Sequence, residues 1–337
     1  MPLVTLGEGR TPLIESRRIA RELGLASLSF KLENCNPSGS YKDRFIAAEL
    51  DHLLARGVRA CIATSSGNTG ASLAAYAARY ELPCTIVVSD STPAGKLVQM
   101  AAHGARLIPV RGFTTDTAIT ARVINLLRDY AASRPAALVV SAYRYCPIGM
   151  AGVESLGREL AETAPAHVFV PAGSGGLFIA VSRGLKAHAA ARVHAVQPEG
   201  CSTFVASWQR GSAEVLPVES RTRVSGLSVP FDIDGSLALA ELTARNGTAW
   251  GLAVPDTAIF DAQAMMMEME GIDTEPAGAA ALAGLMQALR DGRMAKTERA
   301  VCIVSGHGFK DPAAAECVAA RHPATPAEVD ELEALLA

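Results

Sequence analysis

One lysine lies where a turn-forming stretch passes directly into a helix-compatible one. Residues 36–39 read Asn-Pro-Ser-Gly and residues 40–45 read Ser-Tyr-Lys-Asp-Arg-Phe, so we expect Lys42 at the N-terminus of a helix. There the positive end of the helix dipole and partial burial disfavour the ammonium form of a lysine. A neutral amine can attack an aldehyde. Lys42 is therefore a candidate nucleophile, and the alternative is a surface lysine in the first turn of a helix.

A polar loop forms the second candidate site. Residues 64–72 read Thr-Ser-Ser-Gly-Asn-Thr-Gly-Ala-Ser, between an apolar run and an alanine-rich helical pattern. Hydroxyls, glycines and unpaired backbone N–H groups at a helix start suit a carboxylate or a phosphate, and Asn68 can also reach a phenolic oxygen. An ordinary capped turn explains the same residues as well.

A glycine-rich segment at residues 173–177 is the third candidate. It reads Gly-Ser-Gly-Gly-Leu, after the apolar run 167–171 and before a helical pattern. Such a backbone can curl around an oxyanion, and the helix N-terminus adds positive potential. The segment lacks the P-loop pattern, and Phe178 stands where a dinucleotide fingerprint needs its third glycine. We therefore predict a phosphate cradle, with an inert tight turn as the alternative.

A hydroxyl at the end of the last apolar run is the fourth candidate. Ser305 begins the sequence Ser-Gly-His-Gly-Phe-Lys-Asp. Ligands of open α/β sheets bind at the carboxyl ends of strands, so Ser305 can meet a heterocyclic nitrogen there. His307 has no partner carboxylate or Cys/His cluster nearby in the sequence, and we interpret it as a structural loop residue.

Short apolar runs alternate with helical patterns along the whole chain, which is typical of βα units around mostly parallel sheets. Most runs are continuous, so we expect sheets covered on both faces. The predicted strands are 29–33, 60–64, 84–88, 106–110, 138–142, 167–171, 193–197 and 301–305. The predicted helices are 43–56, 69–79, 96–102, 116–128, 149–163, 178–188, 257–270 and 278–290. Residues 209–236 break the pattern, and we expect irregular structure near the site or an interface.

Composition narrows the class of protein. The 337 residues are 49% hydrophobic, with a net charge of −3, so the chain can bury a large core and offers no electrostatic case for a nucleic-acid or membrane partner. A small-molecule ligand is the better expectation. Seven scattered cysteines without a C-x-x-C pair argue against a disulfide framework and a zinc site, so we expect no metal. No targeting or membrane-spanning segment stands out, and we expect a cytoplasmic protein.

The four motifs, in this order, resemble those of pyridoxal-phosphate enzymes of the tryptophan synthase β superfamily, or fold type II. Gly-Glu-Gly-Arg-Thr-Pro-Leu at 7–13 and Glu-Pro-Ala-Gly-Ala-Ala at 275–280 fit the same pattern, so the resemblance covers about residues 7–312. Within the superfamily the chain is most similar to the threonine synthase-like group. The resemblance implies two α/β domains, each with an open, mostly parallel twisted sheet flanked by helices, and the cofactor in the cleft between them.

The resemblance also implies a role for each matching residue. Lys42 would form the Schiff base with pyridoxal 5′-phosphate and later act as the proton-transfer base, while Asn68 would bond the phenolic oxygen. Ser305 would face the pyridine nitrogen, and a neutral hydroxyl there makes the ring a milder electron sink than a carboxylate would. The cofactor phosphate would be held by Gly173, Ser174, Gly175, Gly176 and Leu177. The substrate carboxylate would be held by Ser65, Ser66, Thr69 and Gly70.

The implied reaction is the loss of a leaving group from Cβ or Cγ of an amino acid, and O-phosphohomoserine is the best named substrate. The chain departs from the group at residues 141–150, where the usual Asn-Ser-x-Asn-Pro is absent and Arg144 is offset. Met150 stands where glutamine is usual, and Phe45 replaces a glycine. A serine/threonine-type dehydratase and a β-replacement enzyme therefore stay open as alternatives. So does a nucleotide- or phosphate-binding regulatory α/β protein that is not an enzyme.

The same resemblance suggests the domain division and the assembly. We predict a smaller domain at 36–147, carrying Lys42 and the Ser-Gly-Asn loop. Residues 1–35 and 148–337 would form a larger domain that carries the phosphate loop. A homodimer is expected.

Overall fold

The structure is a computed structural model that describes residues 4–186, 190–245, 247–324 and 326–336. Two sheets and their flanking helices make up this part of the chain. The strands are β1 (Leu13–Glu15), β2 (Leu28–Leu32), β3 (Ala60–Ala63), β4 (Cys84–Ser89), β5 (Arg106–Val110), β6 (Ala136–Leu138), β7 (His167–Pro171), β8 (Arg192–Pro198), β9 (Gly251–Val254) and β10 (Ala300–Val304).

The helices cover the faces of both sheets. They are α1 (Ile19–Leu23), α2 (Lys42–Ala55), α3 (Asn68–Arg79), α4 (Ala94–Ala102), α5 (Thr117–Ala132), α6 (Pro147–Ala161), α7 (Gly176–Gly184), α8 (Phe204–Gln209), α9 (Gly235–Ala244), α10 (Asp256–Glu270), α11 (Pro276–Arg290), α12 (Pro312–Ala319) and α13 (Leu332–Leu336).

The larger sheet has six strands in the order β1-β2-β10-β7-β8-β9, and only β1 runs antiparallel to its neighbour. Strand β7 is buried along its whole length, as its continuous apolar sequence requires. One apolar core on one face of this sheet includes residues of α6 and α7, and a second on the other face includes residues of α10 and α11. Both faces are therefore covered, which explains why apolar runs and not alternating ones predict these strands.

The smaller sheet has four strands in the order β5-β4-β3-β6, all parallel. Its strands lie inside the predicted smaller domain, and the boundaries of that domain stay a prediction. The two mostly parallel, helix-flanked sheets confirm the α/β fold class.

The sequence-based elements agree with the structure except at particular ends. The strand predicted at 138–142 is misplaced because β6 ends at Leu138, and the residues after it lead into a cavity. Helices α6 and α11 begin at Pro147 and Pro276, two residues earlier than predicted, because proline suits the first helical position. The helix predicted at 178–188 ends at Gly184, and residues 187 and 188 lie outside the described residues. Strands β1 and β9, at the edges of the larger sheet, have three and four residues and were missed.

Helix α2 is fixed to the rest of the molecule by the arginine that follows Lys42 and Asp43. The Arg44 guanidinium donates to both Glu33 oxygens at 2.8 Å and to both Glu159 oxygens at 2.5 and 2.9 Å. Lys31 also donates to Glu159, at 2.7 Å. These cations hold the pKa of Glu159 down to about 2, although burial alone would raise it. A bidentate pair fixes the direction of the guanidinium as well as its distance from the carboxylate. The two pairs of Arg44 therefore fix the orientation of the start of α2.

Phe45, the aromatic residue that departs from the family pattern, packs between α2 and α6. Phe45 is fully buried, and a Cβ atom at Gly149 of α6 would lie 2.7 Å from its ring. The space for the ring thus comes from a glycine on the opposing helix. Phe45 therefore belongs to the packing between α2 and α6, and does not line the cavity.

Candidate active site

A cavity of about 730 Å³ lies where the carboxyl ends of β3, β7 and β10 meet the start of α2. The cofactor- and substrate-binding residues predicted from the sequence all line this cavity, except Gly70. They are Lys42, Ser65, Ser66, Asn68, Thr69, Gly173, Ser174, Gly175, Gly176, Leu177 and Ser305.

Lys42 is the first residue of α2, as the turn-to-helix pattern predicted. Its Nζ donates a hydrogen bond of 2.7 Å to Ser141 Oγ, and it lies 4.6 Å from the centroid of the Tyr41 ring. The Ser141 hydroxyl is also 2.8 Å from Thr69 Oγ1. The amine therefore faces the cavity, held by a hydroxyl that no sequence motif identified.

The turn before α2 is paired with the segment that follows β10. Ser40 and Gly306 form an isolated antiparallel bridge. The Tyr41 N–H donates to Ser305 O at 3.1 Å, and the His307 N–H donates to Gly39 O at 2.9 Å. Backbone pairing thus sets the position of Lys42 relative to Ser305, although more than 260 residues separate them in the chain.

The glycine-rich segment forms a narrow cradle at the N-terminus of α7. Gly175 has φ +102°, and a Cβ there would lie 2.5 Å from Ala238 Cβ. A Cβ at Gly176 would lie 2.9 Å from Met150 Cε. The first intrahelical bond runs from Ile179 N–H to Gly175 O at 3.0 Å, so the amides before it have no acceptor within the helix. Glycine is therefore required here for backbone reasons, and the free amides suit an anion.

Asn68 begins α3 at the wall of the cavity. Its Nδ2 donates to Glu275 Oε1 at 2.7 Å. Ser305, at the end of β10, is buried but still lines the cavity. These two polar groups and the Lys42 amine surround the same space.

Gly70 lies behind the polar loop instead of beside the cavity. It is buried in the first turn of α3, and a Cβ there would overlap the carbonyl oxygen of Ser65. The missing side chain allows the loop at 64–67 to fold back on the helix. Thr69 is turned toward Ser141.

Asp43, next to the lysine, is structural. It is fully buried and accepts from Ser38 N–H at 2.6 Å, from Ser72 Oγ at 2.5 Å and from Ser38 Oγ. Burial raises its pKa above the usual range in spite of these bonds. Asp43 thus ties the turn before α2 to α3.

A second lysine at the cavity was missed by sequence reasoning. Lys310 Nζ donates to Gln99 Oε1 at 2.7 Å, and Gln99 Nε2 donates to Ser38 O at 3.0 Å. Burial lowers the pKa of Lys310 to about 8, while the charges of Glu275 and Asp43 oppose that shift. The one sequence feature that could have indicated Lys310 is its position in the motif that begins at Ser305.

The arginine offset from the family pattern points away from the site. Arg144 is exposed and pairs with Asp232 at 3.5 Å. Its backbone N–H and that of Tyr143 donate to the buried Asp234 at 3.1 and 2.8 Å. Among the described residues that line the cavity, the cations are Lys42, Lys96 and Lys310.

His307 caps its own loop, in agreement with the structural interpretation. Its Nδ1 accepts from Phe309 N–H at 3.3 Å and lies 3.4 Å from Asp273. Within the described ranges, no three His, Cys, Asp or Glu residues are grouped so that they could hold a metal ion. Nor does any helix of the described chain have the length and apolar character needed to cross a membrane.

Comparison with known proteins identifies the class. Residues 4–306 match the family described as "Pyridoxal-phosphate dependent enzyme", and the chain belongs to that family. It is therefore an enzyme, a lyase that uses pyridoxal phosphate, and the regulatory alternative is wrong.

Individual relatives refine this assignment. Threonine synthase of Methanocaldococcus jannaschii is 31% identical over 326 residues, which cover 93% of this chain and 78% of that protein. Threonine synthase of Mycobacterium tuberculosis is 32% identical over 315 residues, covering 92% and 84%. Among solved structures, a threonine deaminase of T.th. has a TM-score of 0.74 at 26% identity, covering 89% and 92%. Maize serine racemase has a TM-score of 0.75 at 25% identity, covering 89% of each chain.

The cavity fits this cofactor on its own geometry. The cradle at Gly175 and Gly176 has no room for side chains, and its amides can hold a phosphate. The Lys42 amine faces the same cavity, and so does the hydroxyl of Ser305. An aldehyde, a ring nitrogen and a phosphate thus find suitable partners around one space.

Proposed function

We propose that this enzyme removes a leaving group from Cβ or Cγ of an amino acid, and that it converts O-phosphohomoserine into threonine and phosphate. Threonine synthases that match 92–93% of this chain at 30–32% identity carry this proposal. The cavity supports it because its amine, hydroxyls and glycine cradle are those that such a reaction requires.

We propose these roles for the residues at the cofactor. When bound, pyridoxal phosphate supplies an aldehyde for the substrate amine and a ring that accepts the electron pair left at Cα. Lys42 would hold the cofactor aldehyde, and its amine would take the proton from Cα of the substrate. The backbone amides of 173–177 hold the phosphate, Asn68 donates to the phenolic oxygen, and Ser305 faces the ring nitrogen.

The residues around Lys42 would control the proton transfer. The Ser141 hydroxyl, 2.7 Å from Nζ, keeps the released amine at the cavity instead of letting it turn toward solvent. Ser65, Ser66 and Thr69 lie beside the same space and would bind the substrate carboxylate, while Gly70 supports the fold of their loop. Closure around the substrate would exclude water and protect the carbanion.

A second candidate is a serine/threonine-type dehydratase, and one observation favours it. The Lys42 amine meets the hydroxyl of Ser141, which in turn meets the hydroxyl of Thr69, and Arg144 pairs with Asp232 outside the cavity. A neutral hydroxyl leaving group fits such surroundings as well as a phosphate does. A β-replacement enzyme stays the third candidate.

One experiment separates the candidates. The purified holoenzyme is incubated separately with O-phosphohomoserine, serine, threonine and diaminopropionate. We expect inorganic phosphate and threonine in equal amounts from the first compound. A keto acid and ammonia from serine or threonine, with no phosphate release from phosphohomoserine, would establish the dehydratase instead.

We further propose a cytoplasmic homodimer. The seven cysteines are unpaired, and Cys35 and Cys317 are exposed, which suits a reducing compartment. The dimer is supported by the family resemblance of the motifs. Light scattering during gel filtration measures the mass directly, and a mass near the 35.1 kDa of one chain would contradict the dimer.

A further inference from the structure

Glu275 belongs to a sequence motif, Glu-Pro-Ala-Gly, for which the proposed reaction provides no role. It directly precedes α11 and lines the cavity, yet only 6% of its surface is exposed. Its Oε1 accepts the hydrogen bond from Asn68 Nδ2 at 2.7 Å. A buried carboxyl group beside a cofactor ligand, 207 positions away in the chain, calls for a specific function.

The backbone at Gly306 restricts how Glu275 and Asn68 can be arranged. A Cβ at Gly306 would overlap Glu275 Oε1 and would lie 3.1 Å from Asn68 Nδ2. The Glu275 N–H donates to Gly306 O at 3.1 Å, and Thr274 Oγ1 donates to the same oxygen at 3.0 Å. The segment that carries Ser305 therefore also makes the space in which Glu275 and Asn68 meet.

We propose that Glu275 is a positioning residue, which accepts one Nδ2–H of Asn68 so that the second Nδ2–H points at the phenolic oxygen of the cofactor. An ionised carboxylate only accepts hydrogen bonds, whereas the asparagine amide carries two donors on nitrogen and an acceptor on oxygen. Without the carboxylate, the amide can turn over and set Oδ1 against the phenolic oxygen. Because both are acceptors, that arrangement loses the contact.

The charges around Glu275 are suited to this role. Burial raises its pKa, while the bond from Asn68 and the positive charges of Lys310 and Lys96 act in the opposite direction. The negative charge of Asp311 adds to the effect of burial on this pKa. The two lysines thus partly offset the effect of burial on this carboxyl group, whose only described side-chain hydrogen-bond donor is Asn68.

The inference rests on the proposed placement of Asn68, and its test needs no substrate. The probe is pyridoxine 5′-phosphate, which has the phenolic oxygen and the phosphate but cannot condense with Lys42. Its affinity for the apoprotein is measured by calorimetry for Glu275→Gln, which keeps the shape of the side chain. We expect affinity about tenfold weaker, as for the loss of one charge-assisted hydrogen bond. With pyridoxal phosphate, the visible absorbance maximum should shift as well.

Asp273→Asn is the matched control. It is the same acid-to-amide change two residues away, on an exposed side chain that pairs with His307 outside the cavity. Its affinity for the probe should equal that of the unmodified protein. Urea unfolding of each apoprotein separates an effect on the cofactor from an effect on folding.

Asn68→Ala completes a double-mutant cycle. Asn68→Ala alone should weaken the binding of the probe. When Glu275→Gln is added to Asn68→Ala, the affinity for the probe should not fall further. Gly306→Ala displaces the carboxyl group without removing it. Its affinity for the probe should equal that of Glu275→Gln, and it takes the place of that variant if Glu275→Gln does not fold. Equal effects of Glu275→Gln with and without Asn68 would overturn the inference, as would an Asn68→Ala variant that binds the probe normally. Failure to form threonine would refute the proposed reaction and leave this result unchanged.

Discussion

Gly175 offers the most direct test of the phosphate cradle. Its φ of +102° lies in the region that residues with a side chain avoid, and an alanine Cβ there would lie 2.5 Å from Ala238 Cβ of α9. The backbone conformation costs about 1–2 kcal/mol for an L residue, and the overpacking costs about 1–3 kcal/mol more. We therefore expect Gly175→Ala to lower the free energy of unfolding of the apoprotein by roughly 2–5 kcal/mol.

The same substitution should weaken cofactor binding. The contact with Ala238 can be relieved only if the loop moves, and the amides at the start of α7 then move with it. A displaced cradle loses at least one charge-assisted hydrogen bond to phosphate, so affinity should fall about tenfold or more. Urea unfolding gives the stability, and calorimetric titration of the apoprotein with pyridoxal phosphate gives the affinity.

Ala238→Gly separates the two causes. Alone it removes a methyl group from a helix and should cost about 1 kcal/mol of stability, with cofactor affinity unchanged. Added to Gly175→Ala, it removes the close contact but keeps the backbone strain, so the double variant should recover part of the affinity. A Gly175→Ala variant that binds the cofactor as tightly as the unmodified protein would refute the reasoning.

Three further predictions concern the amine and its support. Lys42→Ala should abolish turnover and the covalent attachment of cofactor that mass spectrometry detects after borohydride reduction; attachment that persists would assign the reactive amine elsewhere. Ser141→Ala should lower kcat about tenfold with little change in cofactor affinity, since it removes one hydrogen bond to that amine, and an unchanged kcat would contradict this role. The folded-state pKa of Glu159 is about 2, below its usual 4.5, so its stabilising contribution is complete above the usual value and is lost as the pH falls toward 2. Glu159→Gln should therefore lower stability at neutral pH by about 1–3 kcal/mol and make acid unfolding less steep; equal slopes for the two proteins would argue against the pair with Arg44.

A phosphate leaving group needs positively charged partners in the cavity. The substrate proposed above is phosphorylated, but Arg144 lies outside the cavity and pairs with Asp232. A phosphate leaving group would have to find its charge partners in Lys42, Lys96 or Lys310, the cations that line the described cavity. Replacing Lys96 by methionine should raise the KM for phosphohomoserine and leave that for serine unaffected.

Local patterns in the sequence were sufficient for the parts of the site that are contiguous in the chain. A turn followed by a helix located Lys42, and a glycine-rich turn before a helix located the cradle, because a few neighbouring residues determine such backbone conformations. Continuous apolar runs predicted strands covered on both faces. The short strands β1 and β9, at the edges of the larger sheet, were missed.

Contacts between distant segments could not be predicted in this way. Ser141 approaches Lys42 across 99 positions, and Glu275 approaches Asn68 across 207. No spacing in the sequence marks either contact, because the packing of the elements determines which side chains meet. Phe45 replaces a glycine of the family pattern, and only the structure shows that Gly149 on the opposing helix makes room for its ring.

The sequence by itself thus determined the α/β class, the place of Lys42 at the start of a helix, the glycine-rich turn before α7 and the cofactor of the family. Only the tertiary structure decided which hydroxyl meets the amine, which carboxyl group contacts Asn68, and that Arg144 pairs outside the cavity. The physical reason is that backbone conformation is local, whereas a hydrogen bond between side chains far apart in the chain depends on the packing of the elements that carry them.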